Sequence, residues 1–156
     1  MRILIIGPFP EPITGNSLAN QVVFENLPKY QSNVIVDKIN TSYSSFKEDL
    51  GRLSLVKVLY YLKQYVGVIK IFSCDKLYYT SGQTFYGVLK YSPYLLVAKL
   101  LNKEIIVHIH GNFLHKEYMS LKGFKRSIFK KTLQLCDKGI VLSKSLRKNL
   151  TPFLQE

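Results

Sequence analysis

Short apolar runs alternate along the chain with longer segments of helical periodicity. The apolar runs are rich in Ile, Val and Leu and end at Gly, Pro, Ser or Asn, which is typical of buried strands. These predicted strands span residues 2–6, 34–39, 76–80, 104–110 and 139–142. The predicted helices span residues 17–27, 55–72, 85–101, 121–136 and 143–150. Because the strands are apolar on both faces, the alternation predicts an α/β fold, a Rossmann-like doubly wound and mostly parallel sheet with helices on both faces.

Local signals refine three of these helices and predict one connecting loop. Asn16 or Ser17 can cap the first helix, and residues 40–54 are polar and favour a loop. The segment 55–72 is apolar around much of its circumference, so we expect a mostly buried helix. Pro93 either kinks its helix or stands at the first position of a new helix that Ser92 caps.

The segment 121–136 has the pattern of an amphipathic helix. The predicted buried face consists of Leu121, Phe124, Ile128, Thr132 and Leu135. The opposite side is basic and also carries an aromatic residue, a combination that suits an anionic membrane surface. The candidate membrane contacts are Lys122, Lys125, Arg126, Phe129 and Lys130. A solvated basic face explains the same pattern equally well.

Composition narrows the function classes. The chain has 156 residues, which is long enough for one domain with a hydrophobic core. It contains 22 Lys and Arg residues against 10 Asp and Glu residues, which gives a net charge of +12. Such a charge predicts attraction to nucleic acid, phosphorylated substrates or an anionic membrane face. Nucleic acid is the weakest of these candidates, because the sequence has neither an RNP-type aromatic motif nor a helix-turn-helix pattern.

Segments that would direct the chain to or across a membrane are not evident. The apolar run at 3–6 is too short for a signal peptide, and no clean span of about 20 apolar residues follows. We therefore expect a cytoplasmic protein, with the inner membrane face as a candidate site of peripheral attachment. Cys74 and Cys136 have no zinc spacing, and we expect small buried side chains rather than a disulfide.

In doubly wound sheets, ligands bind beyond the carboxyl ends of the strands. The loop 7–17, the pair Ser81-Gly82 and the pair His110-Gly111 all follow predicted strands, so they should meet at one edge. The loop offers a helix N-terminus to a phosphate, or it is a surface loop rich in proline. It lacks the glycine spacing of a dinucleotide site and the Gly-Lys-Ser/Thr of a Walker A motif.

Two histidines two residues apart would point to the same face of the fourth strand. His108 and His110 could ligate a metal. His115 is near in sequence, but no third ligand of a suitable kind is evident. We therefore favour packed, hydrogen-bonded histidines over a metal site. His110, at the end of the strand, is the better functional candidate, and Gly111 allows close approach. There is no Gly-x-Ser-x-Gly elbow and no pair of carboxylates, and no cofactor is implied.

Taken together, the motifs resemble a known enzyme family. "MRILIIGPFPEPITGNS" resembles the opening strand and loop of GT-B glycosyltransferases of family 4. "IIVHIHGNF" resembles their fourth-strand His-Gly motif, and "CDKGIVLSKSLRKNL" their Asp-x-x-(Ile/Val)-Val-Leu-Ser strand. The segment from "YYTSGQTFYG" to "EIIVHIHG" is similar to members that build bacterial surface polysaccharides. The resemblance covers essentially the whole chain, in order.

This resemblance implies transfer of a sugar from a nucleotide-sugar donor to the hydroxyl of a sugar or lipid-linked acceptor, usually with retention and without a metal. His110 would face the transferred sugar as the catalytic residue. The implied substrate-binding residues are Gly15, Asn16, Ser17, Ser81, Gly82, Gly111 and Asn112. Positioning and stabilisation of the leaving diphosphate would provide the catalysis.

The chain also departs from the family pattern. Family members have a second Rossmann-like domain that binds most of the donor, and residues 1–156 match the first domain alone. One glycine, Gly15, stands where many relatives have two. We therefore expect the N-terminal, acceptor-side domain of a glycosyltransferase, inactive by itself. The alternatives are a non-catalytic Rossmann-like module that binds an anionic membrane or a partner protein, and a nucleotide-binding domain of unrelated chemistry.

Overall fold

A computed structural model describes residues 1–42, 59 and 62–154 of the chain. Its five strands form one sheet in the order β2-β1-β3-β4-β5, and every neighbouring pair is parallel. The strands are β1 (Arg2–Gly7), β2 (Ile35–Asn40), β3 (Lys76–Thr80), β4 (Glu104–Ile109) and β5 (Lys138–Val141). The prediction of a parallel α/β sheet is confirmed, and all five strands lie within two residues of their predicted positions.

Helices cover both faces of the sheet. They are α1 (Gly15–Tyr30), α2 (Phe85–Leu89), α3 (Ser92–Leu100), α4 (Leu114–Ser120) and α5 (Gly123–Leu133), with 3-10 segments at Tyr65–Ser73 and Lys144–Asn149. α1 packs Val23, Phe24 and Leu27 on one face, against Ile3 and Ile5 of β1. The first 3-10 segment, α2, α3 and α5 share the larger core on the other face. The crossover from β1 to β2 runs toward one edge of the sheet, and the crossover from β2 to β3 runs toward the other edge. Because both crossovers are right-handed, their helices lie on opposite faces of the sheet.

Two predicted helix starts differ from the structure. α1 begins at Gly15 because Thr14, rather than Asn16 or Ser17, is its N-cap. After α2, a new helix α3 begins at Ser92 with Pro93 in its first turn, so the chain starts a second helix there instead of kinking one. Its N-cap is Tyr91, not Ser92.

The segment predicted as a mostly buried helix at 55–72 is helical from residue 62 onward, but the prediction that it is mostly buried is wrong for its described part. Residues 65–73 form a 3-10 segment that buries Ile71, while Val66 and Phe72 are 69% and 65% exposed. One face of the segment contacts α3, and its other apolar side chains face outward. Residues 55–58, 60 and 61 of this prediction lie outside the described residues, as do residues 43–54 of the predicted loop.

The predicted buried face of the basic helix is confirmed in part: Thr132 is buried, and Leu121, Ile128 and Leu135 pack against the core. α5 buries Phe129, Thr132 and Leu133, whereas Phe124 is 80% exposed. Phe129 packs against Tyr118 and Phe153 in the core, so it is excluded as a membrane contact. The buried face is therefore wider than the predicted stripe and extends to Phe129 and Leu133, while Phe124 at the start of the helix lies outside it.

Cys74 and Cys136 are free and buried, as predicted. Burial raises the pKa of both thiols, that of Cys136 to about 12, so neither is a thiolate at neutral pH. No helix within residues 1–42 and 62–154 is long and apolar enough to cross a membrane.

Candidate functional site

The order of the strands creates a switch point between β1 and β3. From this point the chain crosses to β2 in one direction and to β4 in the other, so the loops after β1 and β3 diverge. Open α/β sheets bind ligands in the crevice that such diverging loops leave. The loop 8–14, the segment Ser81-Gly82 and the segment His110-Gly111 all lie at this carboxyl edge, as the sequence predicted.

A buried amide of α1 holds two of these loops in place. Asn20 is fully buried, its Nδ2 donates to the carbonyl of Pro8 at 2.8 Å, and its Oδ1 accepts from the hydroxyl of Thr80 at 2.5 Å. A Cβ on Gly7 would clash with this amide, which explains the glycine at the end of β1. Asn20 was not among the predicted site residues, although its spacing of three and four residues from Val23 and Phe24 places it on the apolar face of the helix.

The start of α1 is a closed capping box. The amide of Ser17 donates to the Thr14 hydroxyl at 3.1 Å, and the Thr14 amide donates to the Ser17 hydroxyl at 2.8 Å. Ser17 is buried and its hydroxyl also donates to the carbonyl of Pro12. The side chain of Ser17 therefore has a structural role instead of the implied substrate contact. Gly15 and Asn16, in contrast, remain accessible in the first turn.

Ser81 and Gly82 shape the loop after β3. Ser81 is buried and donates to the carbonyl of Gly82 at 2.8 Å. A Cβ on Gly82 would lie 2.9 Å from the Cα of Gly87, so the loop packs directly on the backbone of α2. These contacts explain the presence of both residues by the packing of the loop, without any role in ligand binding.

The loop after β4 is held by two neutral side chains. Gln83 Oε1 accepts from the amide of Phe113 at 2.6 Å, and a Cβ on Gly111 would clash with this glutamine. Asn149 is fully buried, donates to the carbonyl of Gly111 at 3.2 Å and accepts from the amide of His115 at 3.2 Å. Gly111 thus permits the approach of Gln83, and Asn112 is exposed beside it.

His108 and His110 lie side by side on the α1 side of β4. Their ring centroids are 3.9 Å apart, and His108 Nδ1 is 2.5 Å from the hydroxyl of Tyr78. Burial lowers the pKa of both rings, and the charge of His110 further helps to lower that of His108 to about 4. Both rings are therefore neutral at pH 7, and each can accept one hydrogen bond and donate another.

His110 has an unused polar atom. In the part of the chain that the structure describes, His110 Nε2 is buried without a hydrogen-bond partner. A buried nitrogen in this position loses its bond to water, so a ligand that supplied a hydrogen bond would recover that loss. No group of three or more His, Cys, Asp or Glu that could hold a metal occurs within the described ranges.

The lowered pKa of His108 predicts a pH-dependent stability. Between pH 6.5, its ordinary pKa, and about 4, the unfolded chain binds more protons at this ring than the folded chain does, so stability falls as the pH falls. After allowance for screening of the half-buried ring, we expect a loss of about 1–2 kcal/mol. Urea unfolding at pH 5 and pH 7.5 should show a smaller difference for His108→Gln than for the unaltered chain. Equal differences in the two proteins would contradict this assignment.

Comparisons with known proteins address the fold. No protein-family model matches the chain. No curated protein matches it either. A crystal structure of a conserved protein from Enterococcus faecalis V583 is similar, with a TM-score of 0.50 and 9% sequence identity over 97% of this chain and 98% of that one. At this identity the likeness concerns the fold alone, and the chain has a Rossmann-like α/β fold of parallel strands.

Proposed function

We propose that this chain is the acceptor-side domain of a glycosyltransferase that moves a sugar from a nucleotide donor to an acceptor hydroxyl. The observation that carries the proposal is His110, a neutral ring at the carboxyl end of β4 with a buried and unpartnered Nε2. A sugar presents hydroxyls that both donate and accept hydrogen bonds. Such a ligand would satisfy this nitrogen without requiring a charge on the protein.

The first turn of α1 supports a second part of the proposal. Gly15 and Asn16 are accessible there, and the α1 N-terminus has no acidic residue in its first turn. Free amide groups at a helix N-terminus favour the negative charge of a diphosphate. The leaving diphosphate would approach these amides, while a donor-binding domain of the family type would hold the nucleotide. Catalysis would then rest on positioning and on stabilisation of the leaving group.

The proposed partners follow from this chemistry. The donor is a nucleotide sugar, and the acceptor is a sugar or a lipid-linked sugar of bacterial surface polysaccharide or glycolipid synthesis. We place the reaction in the cytoplasm, where nucleotide sugars would be available, and expect retention of configuration. Neither a metal nor another cofactor is needed for the proposed roles of this chain.

The second candidate is a non-catalytic binding module. Ser17, Ser81, Gly82 and Gly111 all have structural reasons in the fold, so their presence does not require catalysis. The described site contains no pair of facing carboxylates for acid and base chemistry. A module that binds an anionic surface or a partner protein would keep the same loops.

A titration followed by NMR tests the proposal. We expect uridine, guanosine or thymidine diphosphate sugars, or sugar acceptors in detergent, to shift the ring signals of His110 and the amides of Gly15 and Asn16. His110→Ala should weaken the binding by about tenfold, because one buried hydrogen bond is lost. Tyr30→Ala, at an 85% exposed position at the far end of α1, is the control and should bind as the unaltered chain does.

Three outcomes would count against sugar transfer. Equal binding by His110→Ala and the unaltered chain would remove the proposed role of this histidine. Tight binding of NAD or ATP at the switch point would favour an unrelated nucleotide-binding domain. If no ligand of the panel binds, and the chain joined to a donor-binding domain folds but shows no transfer, the binding module becomes the better explanation.

A further inference from the structure

The turn that connects α4 to α5 displays large apolar side chains to solvent. We name residues 119–126 the α4–α5 corner. Met119 is 55% exposed and Phe124 is 80% exposed, whereas Leu121 packs against the core and anchors the turn. Gly123 has a φ of 51°, a conformation that suits glycine, and nothing lies near the position of a Cβ there. Phe124, directly after Gly123, therefore lies in open surroundings at the surface of the protein.

The same corner is strongly basic. Lys122, Lys125 and Arg126 lie within it, and the segment 119–126 has no acidic residue. The Arg126 guanidinium lies 4.5 Å from the Tyr118 ring centroid, and its NH2 group lies 3.7 Å from Met119 Sδ. The nearby Glu117 accepts from the amide of Phe85 at 2.8 Å, so this carboxylate serves the fold. Three cationic residues therefore lie within the same eight-residue segment as the exposed Met119 and Phe124.

We propose that the α4–α5 corner docks on an anionic lipid bilayer. Phe124 and Met119 would enter the boundary between headgroups and acyl chains, while Lys122 and Lys125 would contact anionic headgroups. Exposed apolar side chains in the same short segment as three cationic residues match the two parts of such a surface. A nucleic acid is a poorer match, because single strands are bound in grooves lined by several aromatic platforms, and Phe124 is the one aromatic residue of the segment 119–126.

The corner lies beside the candidate site. Lys125 Nζ is 5.8 Å from the ring centroid of Phe85, the residue that opens α2 directly after the loop at 81–84. Docking there would bring the carboxyl edge of the sheet close to the membrane. If the proposed function holds, this position favours a lipid-linked acceptor over a free sugar. That last step rests on the proposed function, whereas the docking itself does not.

Flotation with lipid vesicles tests the docking without any sugar substrate. Vesicles of phosphatidylcholine with about a third phosphatidylglycerol should bind the chain, and pure phosphatidylcholine vesicles should bind it weakly. Lys122→Glu with Lys125→Glu should weaken binding to the anionic vesicles by about tenfold or more. Phe124→Ser should weaken it by a similar factor through loss of apolar contact.

Matched controls use the same substitutions at other exposed positions. Lys144→Glu with Lys148→Glu changes the net charge equally in the second 3-10 segment, and Phe72→Ser removes another exposed phenylalanine. Both controls should keep most of the binding, and circular dichroism should show that every variant is folded. Because these vesicles carry no acceptor, the result is independent of whether the protein transfers sugar.

Several results would overturn the docking proposal. Absence of binding to anionic vesicles would exclude it directly. Equal losses in the corner variants and the controls would indicate attraction by net charge alone. Binding that survives Phe124→Ser unchanged would exclude insertion of the corner. If the lysine variant loses affinity for single-stranded RNA but keeps its affinity for vesicles, the partner of the corner is a nucleic acid.

Discussion

Asn20→Ala should destabilise the protein by about 3 kcal/mol and lower its melting temperature by about 10 °C. The change removes two buried hydrogen bonds and leaves the Pro8 carbonyl and the Thr80 hydroxyl without this partner. It also opens a small cavity between α1 and the sheet. Urea unfolding of Asn20→Ala and of Gln21→Ala, a neighbour on the same helix, gives the comparison. A loss below about 1 kcal/mol for Asn20→Ala would contradict the role assigned to this amide.

A double-mutant cycle sharpens this test. Gly7→Ala alone should cost about 2–3 kcal/mol, because the added methyl group would clash with the Asn20 amide. In the Asn20→Ala background that obstacle is absent, so the second substitution should cost at least about 1 kcal/mol less. Additive costs would mean that Gly7 is required for another reason, such as its contact with the Cβ of Thr80.

Asn149→Ala should destabilise the chain by about 2–3 kcal/mol and loosen the loop after β4. Asn149 is fully buried and joins the second 3-10 segment to the carbonyl of Gly111 and the amide of His115. Thermal unfolding measures the loss of stability, and the NMR signals of His110 report the state of the loop. Ser145→Ala, at an exposed position of the same segment, should change neither quantity. A stable variant with unchanged His110 signals would show that other contacts hold the loop.

The strands were predictable because their signals are local and consistent. β3 was predicted at its observed bounds, since its apolar run is closed by a turn sequence at each end. The convergence of the loop after β1, Ser81 and His110 at one edge followed from the parallel arrangement alone. The pairing of Asn20 with Thr80 could not be predicted, because it joins residues 60 positions apart.

The errors occurred where packing partners decide between two similar patterns. On α5, Phe124 and Phe129 both have helical spacing to a residue that packs in the core, Ile128 for the first and Leu133 for the second. Phe129 is buried because Tyr118 and Phe153 meet it, whereas Phe124 stands in the first turn, at the α4–α5 corner. The segment at 65–73 was misjudged for the same reason, since its periodicity does not say how many of its faces will be covered.

Neutral carboxamides hold the loops at the carboxyl edge of the sheet. Asn20 and Asn40 bond the loop after β1, and Gln83 and Asn149 bond the loop after β4. Amide groups neither gain nor lose protons in the physiological range, and their hydrogen bonds are screened little by salt. The protein has a net charge of +12, and a rise in ionic strength weakens its attraction for anions. The shape of this edge should stay constant under the same change. Any salt dependence of ligand binding would then report the charge of the ligand and not a rearrangement of the loops.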